Sequence, residues 1–233
     1  MIPLHDDNPT DIYPVITLSL IGLCTLVYIY QLALGPADSR TLIYGLGVIP
    51  AVLLNKTSLP AELAVVTPPL TVLTSMFTHG GFLHLAGNML YLWIFGNNVE
   101  DAMGHLRFII FYILCGIAAA AGQVFQNPDS MVPMIGASGA ISGVLGAYLL
   151  LYPHARILVL LPLGFYAQLI RIPASWVLGF WFFIQVLSSM LFGPQQGGVA
   201  WYAHMAGFVT GLLLVTVFKR KKVKLFHNPR GVG

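Results

Sequence analysis

Ser138 and His204 have the side-chain types of a hydroxyl nucleophile and its general base. An imidazole that accepts the hydroxyl proton lets the oxygen attack a carbonyl carbon, which is the first step of acyl transfer. Each residue stands among small residues that would let a partner helix approach closely. The two segments are Gly136-Ala137-Ser138-Gly139 and Ala203-His204-Met205-Ala206-Gly207.

Taken singly, these residues have simpler explanations. A serine in an isolated Gly-x-Ser-Gly segment is more often part of a helix contact, where its hydroxyl bonds its own backbone. His84 and Asn88 are four residues apart and share one helix face. They could line a common cavity or only join two helices by a hydrogen bond. Spacing alone leaves both explanations open.

The elements that must position these residues are membrane spans. Of the 233 residues, 57% are hydrophobic and only 8% are charged, whereas soluble domains have roughly 25% charged residues. The apolar residues form long blocks, each near the ~20 residues needed to cross a bilayer. We predict an all-α membrane protein, a six-helix bundle with spans at residues 14–34, 80–99, 108–125, 136–152, 172–192 and 199–218.

The fourth block is the shortest of the six, and Pro133 and Gly136 precede its main part. A short helix that reaches one membrane face leaves its other end recessed. Ser138 would then lie at a free helix N-terminus, whose unpaired N–H groups favour an oxyanion. His204 lies about one turn into the last block, so we expect it at a similar depth.

Lysine and arginine predict the orientation. If both termini are cytoplasmic, nine of the 11 basic residues lie in inner segments and only Arg40 and Lys56 lie outside. We therefore expect a multi-pass protein of a bacterial plasma membrane, with a cytoplasmic segment at 1–13, a bundle at 14–218 and a basic tail at 219–233. The run from Lys219 to Lys224 follows an apolar block, which favours contact with lipid headgroups over nucleic acid.

The other catalytic designs fit less well. The spans contain no Asp, Glu, Lys or Arg well inside them, which disfavours an aspartyl protease and a Ser-Lys pair. The His-Glu-x-x-His segment of zinc proteases is absent, although His79, His84 and His204 could in principle gather a metal. We expect no cofactor. Asp129, in an outer loop, is the one acid that could support His204 as a third member.

The connecting segments and some residues inside the spans predict further local structure. The first outer segment, 35–78, is long and partly apolar, so we expect short helices in the membrane interface. The glycine-rich stretch 193–198 should be mobile, and the tail from His227 onward should be disordered. Cys24 and Cys115 lie inside spans and are interpreted as buried apolar residues. The aromatic residues of the fifth span are expected to face lipid.

Over nearly its whole length the chain resembles the rhomboid intramembrane serine proteases. The resemblance rests on six spans, a long first outer loop and three motifs in order. These are His79-Gly80-Gly81-Phe82-Leu83-His84-Leu85-Ala86-Gly87-Asn88, Gly136-Ala137-Ser138-Gly139 and Ala203-His204-x-x-Gly207.

The resemblance implies that Ser138 is the nucleophile and His204 its base. It also implies an oxyanion hole made by the backbone N–H of Ser138 with the side chains of His84 and Asn88. His79 and Glu100 match residues interpreted as structural. Two positions depart from the pattern: a Trp-Arg pair of the first outer loop is replaced by Pro68-Pro69-Leu70-Thr71, and a tyrosine one turn after the serine is replaced by Ser142.

The function expected is cleavage of a transmembrane protein substrate near the outer membrane face by a Ser-His dyad. Single-pass membrane proteins and the bilayer are the expected partners, nucleic acid is not, and the resemblance suggests entry between the second and fifth spans. Two alternatives remain: a rhomboid-like protein that binds client spans without cutting them, and a channel or transporter. The missing internal repeat disfavours the second.

Overall fold

The computed structural model describes residues 1–164, 166–192 and 199–227, without the side chain of Leu163. The predicted mobile stretch 193–198 and the last six residues of the tail lie outside this part. The described residues fold mainly into helices, with one small sheet. The helices are α1 (Val15–Ala33), α2 (Gly35–Leu46), α3 (Pro50–Leu53), α4 (Pro68–Thr74), α5 (Phe82–Met103), α6 (His105–Gln126), α7 (Ser138–Leu151), α8 (Ala174–Phe192) and α9 (Trp201–Phe218).

Six of these helices correspond to the six predicted spans. Among the described residues, α1, α6, α8 and α9 are each long and apolar enough to cross a membrane. A fifth span is counted if α5 is joined with the helical stretch before it, which meets it at a bend of 77°. The sixth, α7, has 14 residues and is about 21 Å long at 1.5 Å per residue. The predicted six-helix membrane bundle is therefore confirmed, with α7 even shorter than predicted, although the described residues are mostly rather than entirely helical.

The bundle has two ends. We call the end where α5, α7 and α9 begin the outer end, and the end where they finish the inner end. The segment between α1 and α5 contains α2, α3, α4 and two short 3-10 helices, Ala61–Leu63 and Ser75–Phe77, which confirms the predicted short helices.

The core is built around the contact between α7 and α9. A methyl group on Gly207 would collide with the Gly139 carbonyl oxygen, and one on Gly211 with that of Gly143. Only glycine allows the two backbones to approach this closely. The predicted small-residue faces therefore pack against each other, and α6 covers α7 from the other side, where a methyl on Gly139 would meet Ala119.

A three-stranded antiparallel sheet at the inner end was missed by the sequence analysis. Its strands are β1 (Ile2–Asp6), β2 (Arg156–Leu163) and β3 (Tyr166–Pro173), in that order across the sheet. Ile157 and Val159 are fully buried against the bundle. The fifth span accordingly begins at Ala174, since the residue predicted to start it, Ile172, pairs with Ile157 in the sheet.

Carboxylates at the end of α5 join the inner ends of the helices. Glu100 is completely buried, and its oxygens accept the backbone N–H groups of Ile16 and Thr17 at 2.9 and 2.8 Å and the Thr17 hydroxyl at 2.7 Å. The oxygen that accepts from Ile16, Oε1, also lies 2.6 Å from His105 Nδ1. A carboxylate in this position satisfies the free N–H groups at the start of α1. The structural interpretation of Glu100 agrees with these contacts.

The first basic residues of the tail are ordered against the bundle. The N–H of Arg220 donates to the Ala102 carbonyl at 2.8 Å, and the Arg220 guanidinium bonds Asp101. The N–H groups of Phe226 and His227 donate to the Leu150 and Leu151 carbonyls at the end of α7. His227 itself is therefore held by the bundle, in contrast to the predicted disorder from this residue onward.

Candidate active site

Ser138 is the first residue of α7, at the outer end. The preceding Gly136 has a φ of 112°, a conformation that favours glycine, and its N–H donates to the Ser75 carbonyl at 2.8 Å. Ala137 is the N-cap, and no side chain caps the helix. The N–H groups of the first turn therefore have no intrahelical acceptor, which leaves donors and the positive end of the helix dipole beside the serine.

His204 meets Ser138 across the contact between α7 and α9. Its Nε2 lies 2.7 Å from Ser138 Oγ, a hydrogen-bond distance. His204 is the fourth residue of α9, so the two residues lie at a similar depth, as predicted. Both side chains are half-buried. The structure brings together the two residues that could act as nucleophile and base.

The other nitrogen of His204 contacts a residue to which the sequence analysis gave no role. Gln185, from α8, is 6% exposed, and its Oε1 lies 2.8 Å from His204 Nδ1. Trp181, one turn earlier on α8, places its indole 6.0 Å from the imidazole, centroid to centroid. The only feature of the sequence that could have indicated a role for Gln185 is that it is a polar residue within an apolar span.

Two residues considered as supports for His204 lie elsewhere. Asp129, which the sequence left open as a third member, instead forms a 2.6 Å ion pair with Lys56 and is 80% exposed. Ser142, at the position of the expected tyrosine, is buried and donates its hydroxyl to the Ser138 carbonyl at 2.6 Å. Gln185 and Trp181 occupy the surroundings of His204 instead.

His84 and Asn88 both face the start of α7. A methyl group on Gly136 would lie 2.6 Å from His84 Nε2 and 3.7 Å from Asn88 Nδ2. The Gly80 N–H donates to His84 Nδ1 at 3.3 Å, which leaves Nε2 as the protonated donor. Asn88 Nδ2 is buried without a hydrogen-bond partner among the described residues. Two donors therefore converge beside the serine.

His79 is fully buried, and its ring packs edge-on against that of His84 with centroids 5.1 Å apart. Its backbone N–H and carbonyl bond the amide of Gln31 at 3.2 and 3.0 Å. The backbone thus makes the hydrogen bonds that anchor His79 to α1. In the part of the chain that the structure describes, no three His, Cys, Asp or Glu side chains gather as metal ligands would.

A cavity of about 880 Å³ opens above Ser138 and His204 at the outer end. Its floor includes the serine, His84 and His204, and its walls come from the segment before α7 and the start of α5.

The aromatic residues of the fifth span, α8, divide between two environments. Trp176, Phe180 and Phe183 are more than half exposed, whereas Phe182 stacks on Phe208 at 4.5 Å, so lipid can face only some of them.

These observations define a class of helical membrane protein. Its membrane-spanning helices hold a hydroxyl, an imidazole and free N–H donors below an outer cavity, which are the groups that acyl transfer needs. Comparison with known proteins narrows the class: a family model described as the rhomboid domain matches residues 68–221, which is more than half of the chain. The chain belongs to the rhomboid family.

Three curated relatives illustrate the match. Rhomboid protein 1, mitochondrial, of Saccharomyces cerevisiae is 37% identical over 98 residues, which cover 40% of this chain and 28% of the relative. The human presenilin-associated rhomboid-like protein, mitochondrial, is 28% identical over 196 residues, 76% of this chain and 46% of the relative. Rhomboid protease GluP of Bacillus subtilis is 42% identical over 78 residues, 34% of this chain and 15% of the relative.

The chain thus spans less than half the length of these relatives. Family and fold make it a multi-pass membrane protein. The expected bacterial plasma membrane is not supported, because several of the relatives are named mitochondrial.

Proposed function

We propose that this protein is an intramembrane serine endopeptidase in which Ser138 is the nucleophile and His204 the general base. The observation that carries the proposal is the 2.7 Å contact between Ser138 Oγ and His204 Nε2 at the floor of the outer cavity. Membership of a family that includes a relative named as a protease supports it.

The reaction begins when Ser138 Oγ attacks the carbonyl carbon of the scissile peptide bond. His204 Nε2 takes the hydroxyl proton and then gives it to the leaving amine as the C–N bond breaks. A water molecule, activated by the same imidazole, attacks the acyl-enzyme and releases the new carboxyl group and Ser138.

The oxyanion formed in both steps needs donors that are already in place. The Ser138 N–H at the start of α7 is one. The Nε2–H of His84 and the unpaired Nδ2 of Asn88 lie on the same side, around Gly136. We assign these three groups to the oxyanion hole.

The substrate is a transmembrane segment of another protein, cut near the outer membrane face. A hydrogen-bonded helix shields its carbonyl groups, so the segment must unwind locally before Ser138 can reach it. Small or helix-breaking residues near the cut would favour unwinding. The resemblance suggests entry between the second and fifth spans, α5 and α8. The packing of α8 mainly on α9 is compatible with that path.

The direct test is reconstitution with a model transmembrane substrate. Wild type should release a defined product, and Ser138→Ala and His204→Ala should reduce turnover by at least about a thousandfold. Asn88→Ala should retain Ser138 labelling by a fluorophosphonate but lose roughly 10- to 1000-fold in turnover. Addition of a chelator should not change the rate.

Equal product from wild type and both dyad variants would contradict the protease proposal. Binding of the substrate segment without product in any of the three would instead support the non-cutting rhomboid-like alternative. Activity lost in chelator and regained with Zn²⁺ would contradict the serine mechanism.

A further inference from the structure

We infer that Gln185 is a positioning residue for His204: it holds the imidazole in the tautomer whose Nε2 can accept the Ser138 proton. This inference rests on the proposed function, because it concerns the same catalytic pair. It supplies the support for the base that neither an acid nor a tyrosine provides among the residues that the structure describes.

The two nitrogens of His204 have different partners. Nε2 lies 2.7 Å from Ser138 Oγ and Nδ1 lies 2.8 Å from Gln185 Oε1. A neutral imidazole carries its proton on only one nitrogen. An amide oxygen can only accept, so Nδ1 carries the proton and Nε2 keeps its lone pair for the serine hydroxyl.

The orientation of the amide decides the tautomer, and the helix fixes it. Gln185 Nε2 lies 3.4 Å from the Trp181 carbonyl oxygen, one turn earlier on α8. A carbonyl accepts and cannot donate, so the NH₂ group of the amide must face it. The amide oxygen is thereby directed at His204. The opposite orientation would place two acceptors against each other at Trp181.

The surroundings keep this arrangement in one geometry. Gln185 is 6% exposed, and exchange of its hydrogen bonds with solvent is therefore restricted. The Trp181 indole lies beside the imidazole, and both Trp181 and Phe182 pack on Phe208 of α9. The base is thus aligned by α8, although it belongs to α9. Its competence depends on α8 staying packed on α9.

The experiment compares Gln185→Met, which keeps the length of the side chain but replaces the amide oxygen by a weakly accepting thioether, with Gln185→Glu, which restores an oxygen acceptor. Ser189→Ala is the matched control, because Ser189 is buried on the same helix and bonds the Val186 carbonyl. All are prepared as the full chain in lipid vesicles with a model transmembrane substrate. Turnover is measured against substrate concentration and pH, and Ser138 labelling by a fluorophosphonate is followed in parallel.

We expect Gln185→Met to lower kcat roughly 10- to 100-fold with KM changed less than about twofold, and to slow labelling in parallel. Gln185→Glu should recover most of the rate above an acid limb that moves to higher pH, since a carboxylate favours the protonated imidazole. Ser189→Ala should match wild type in kcat and KM.

A second readout does not depend on activity. In protein labelled with ¹⁵N-histidine, the His204 signals, identified by their absence from His204→Asn, should report a protonated Nδ1 in wild type and a mixture of tautomers in Gln185→Met. The two claims can fail separately. If Gln185→Met changes the tautomer in this way but the wild type cuts no substrate, the inference stands and the proposed function is overturned.

Unchanged kcat and unchanged ¹⁵N shifts in Gln185→Met would overturn the inference, as would a raised KM with normal kcat and labelling, which would mean that Gln185 only packs α8. If Gln185→Met unfolds at a clearly lower temperature than the control, Gln185→Glu decides: an acid limb at the wild-type pH overturns the inference.

Discussion

The proposed reactivity of Ser138 depends on the absence of a side chain two residues earlier. Gly136 makes the turn into α7 with a positive φ, and its α-carbon faces the ring of His84. Any β-carbon there would both strain the backbone and push His84 away from the serine. A small residue thus determines where the donors of the proposed oxyanion hole stand.

Gly136→Ala should therefore lose activity at least about tenfold, with a stability cost of about 1 to 2 kcal/mol from the strained backbone. Turnover of a model substrate and thermal unfolding in detergent measure the two effects. Gly87→Ala is the control, because nothing lies within 4 Å of a β-carbon at that site. Wild-type turnover in Gly136→Ala would mean that His84 can move without consequence.

At this scale the sequence predicted the pairing of Ser138 with His204, because both stand on small-residue faces at a similar depth and the spans hold no acid or lysine that would support another catalytic design. It could not predict Gln185, since nothing in its own span indicates which helix it faces. The sequence left Asp129 open for the same reason. Only the folded chain reveals that Lys56 holds this acid on the outer surface.

Among the elements, the contact between α7 and α9 determines whether a dyad forms at all. Its backbones touch at Gly139 with Gly207 and at Gly143 with Gly211. The second pair lies about one turn below the first, farther from Ser138 and His204. A change at Gly211 therefore tests the packing of the two helices without touching the reacting groups.

Gly211→Ala should destabilise the protein by about 2 to 4 kcal/mol, because the added methyl would collide with the Gly143 carbonyl oxygen and force the helices apart. Turnover should fall as well, since Ser138 and His204 separate. Gly179→Ala on α8 has open space around the new methyl and should be neutral or slightly stabilising. The thermal unfolding midpoints of the two variants are the measurement. Equal midpoints would contradict the predicted collision between α7 and α9.

The sheet illustrates what local sequence cannot predict. Residues 156–173 contain short apolar runs separated by Pro162, Gln168 and Arg171, and short apolar runs do not distinguish strand from helix. The second partner of β2, the strand β1, lies about 150 residues away at the start of the chain. The pairing of β1 with β2 therefore has no local signal, and the sequence analysis left residues 1–13 and 153–171 outside the predicted spans without assigning them strands.

The attachment of β1 should depend on pH. Burial raises the pKa of Asp6 from 3.8 to about 6, against the opposing effect of the Tyr148 hydroxyl, which donates to the carboxylate at 2.6 Å. The folded state therefore binds this proton more tightly than the unfolded state. The resulting stabilisation is complete below about pH 4 and is lost as the pH rises through about 6.

Asp6→Asn should flatten this dependence, so that the difference in unfolding free energy between variant and wild type changes by roughly 1 to 3 kcal/mol between about pH 4 and pH 7.5. Denaturant unfolding at several pH values gives the comparison. Asp38→Asn, at an exposed site of α2, should parallel wild type. An Asp6→Asn curve parallel to wild type would contradict the buried, proton-binding carboxyl.

The two ends of the bundle carry different features, and the difference agrees with the proposed orientation in the membrane. The outer end carries the cavity, the dyad and the Lys56–Asp129 pair. The inner end carries the sheet, the carboxylates of α5 and the basic segment from Lys219. An even number of crossings would place residues 1–13 and the segment from Lys219 on the same side. The excess of basic residues at the inner end supports our proposal that this is the side from which the protein is inserted.

Single cysteines test this orientation, because Cys24 and Cys115 are fully buried and should not react with a membrane-impermeant maleimide. His5→Cys and Lys222→Cys, at exposed inner positions, should label from one side of sealed vesicles, and Ser58→Cys, in the outer segment, only from the other. The short α7 then places the dyad below the surface that Ser58 marks. Labelling of Ser58→Cys and Lys222→Cys from the same side would contradict the six-crossing arrangement and with it the proposed outer location of the cut.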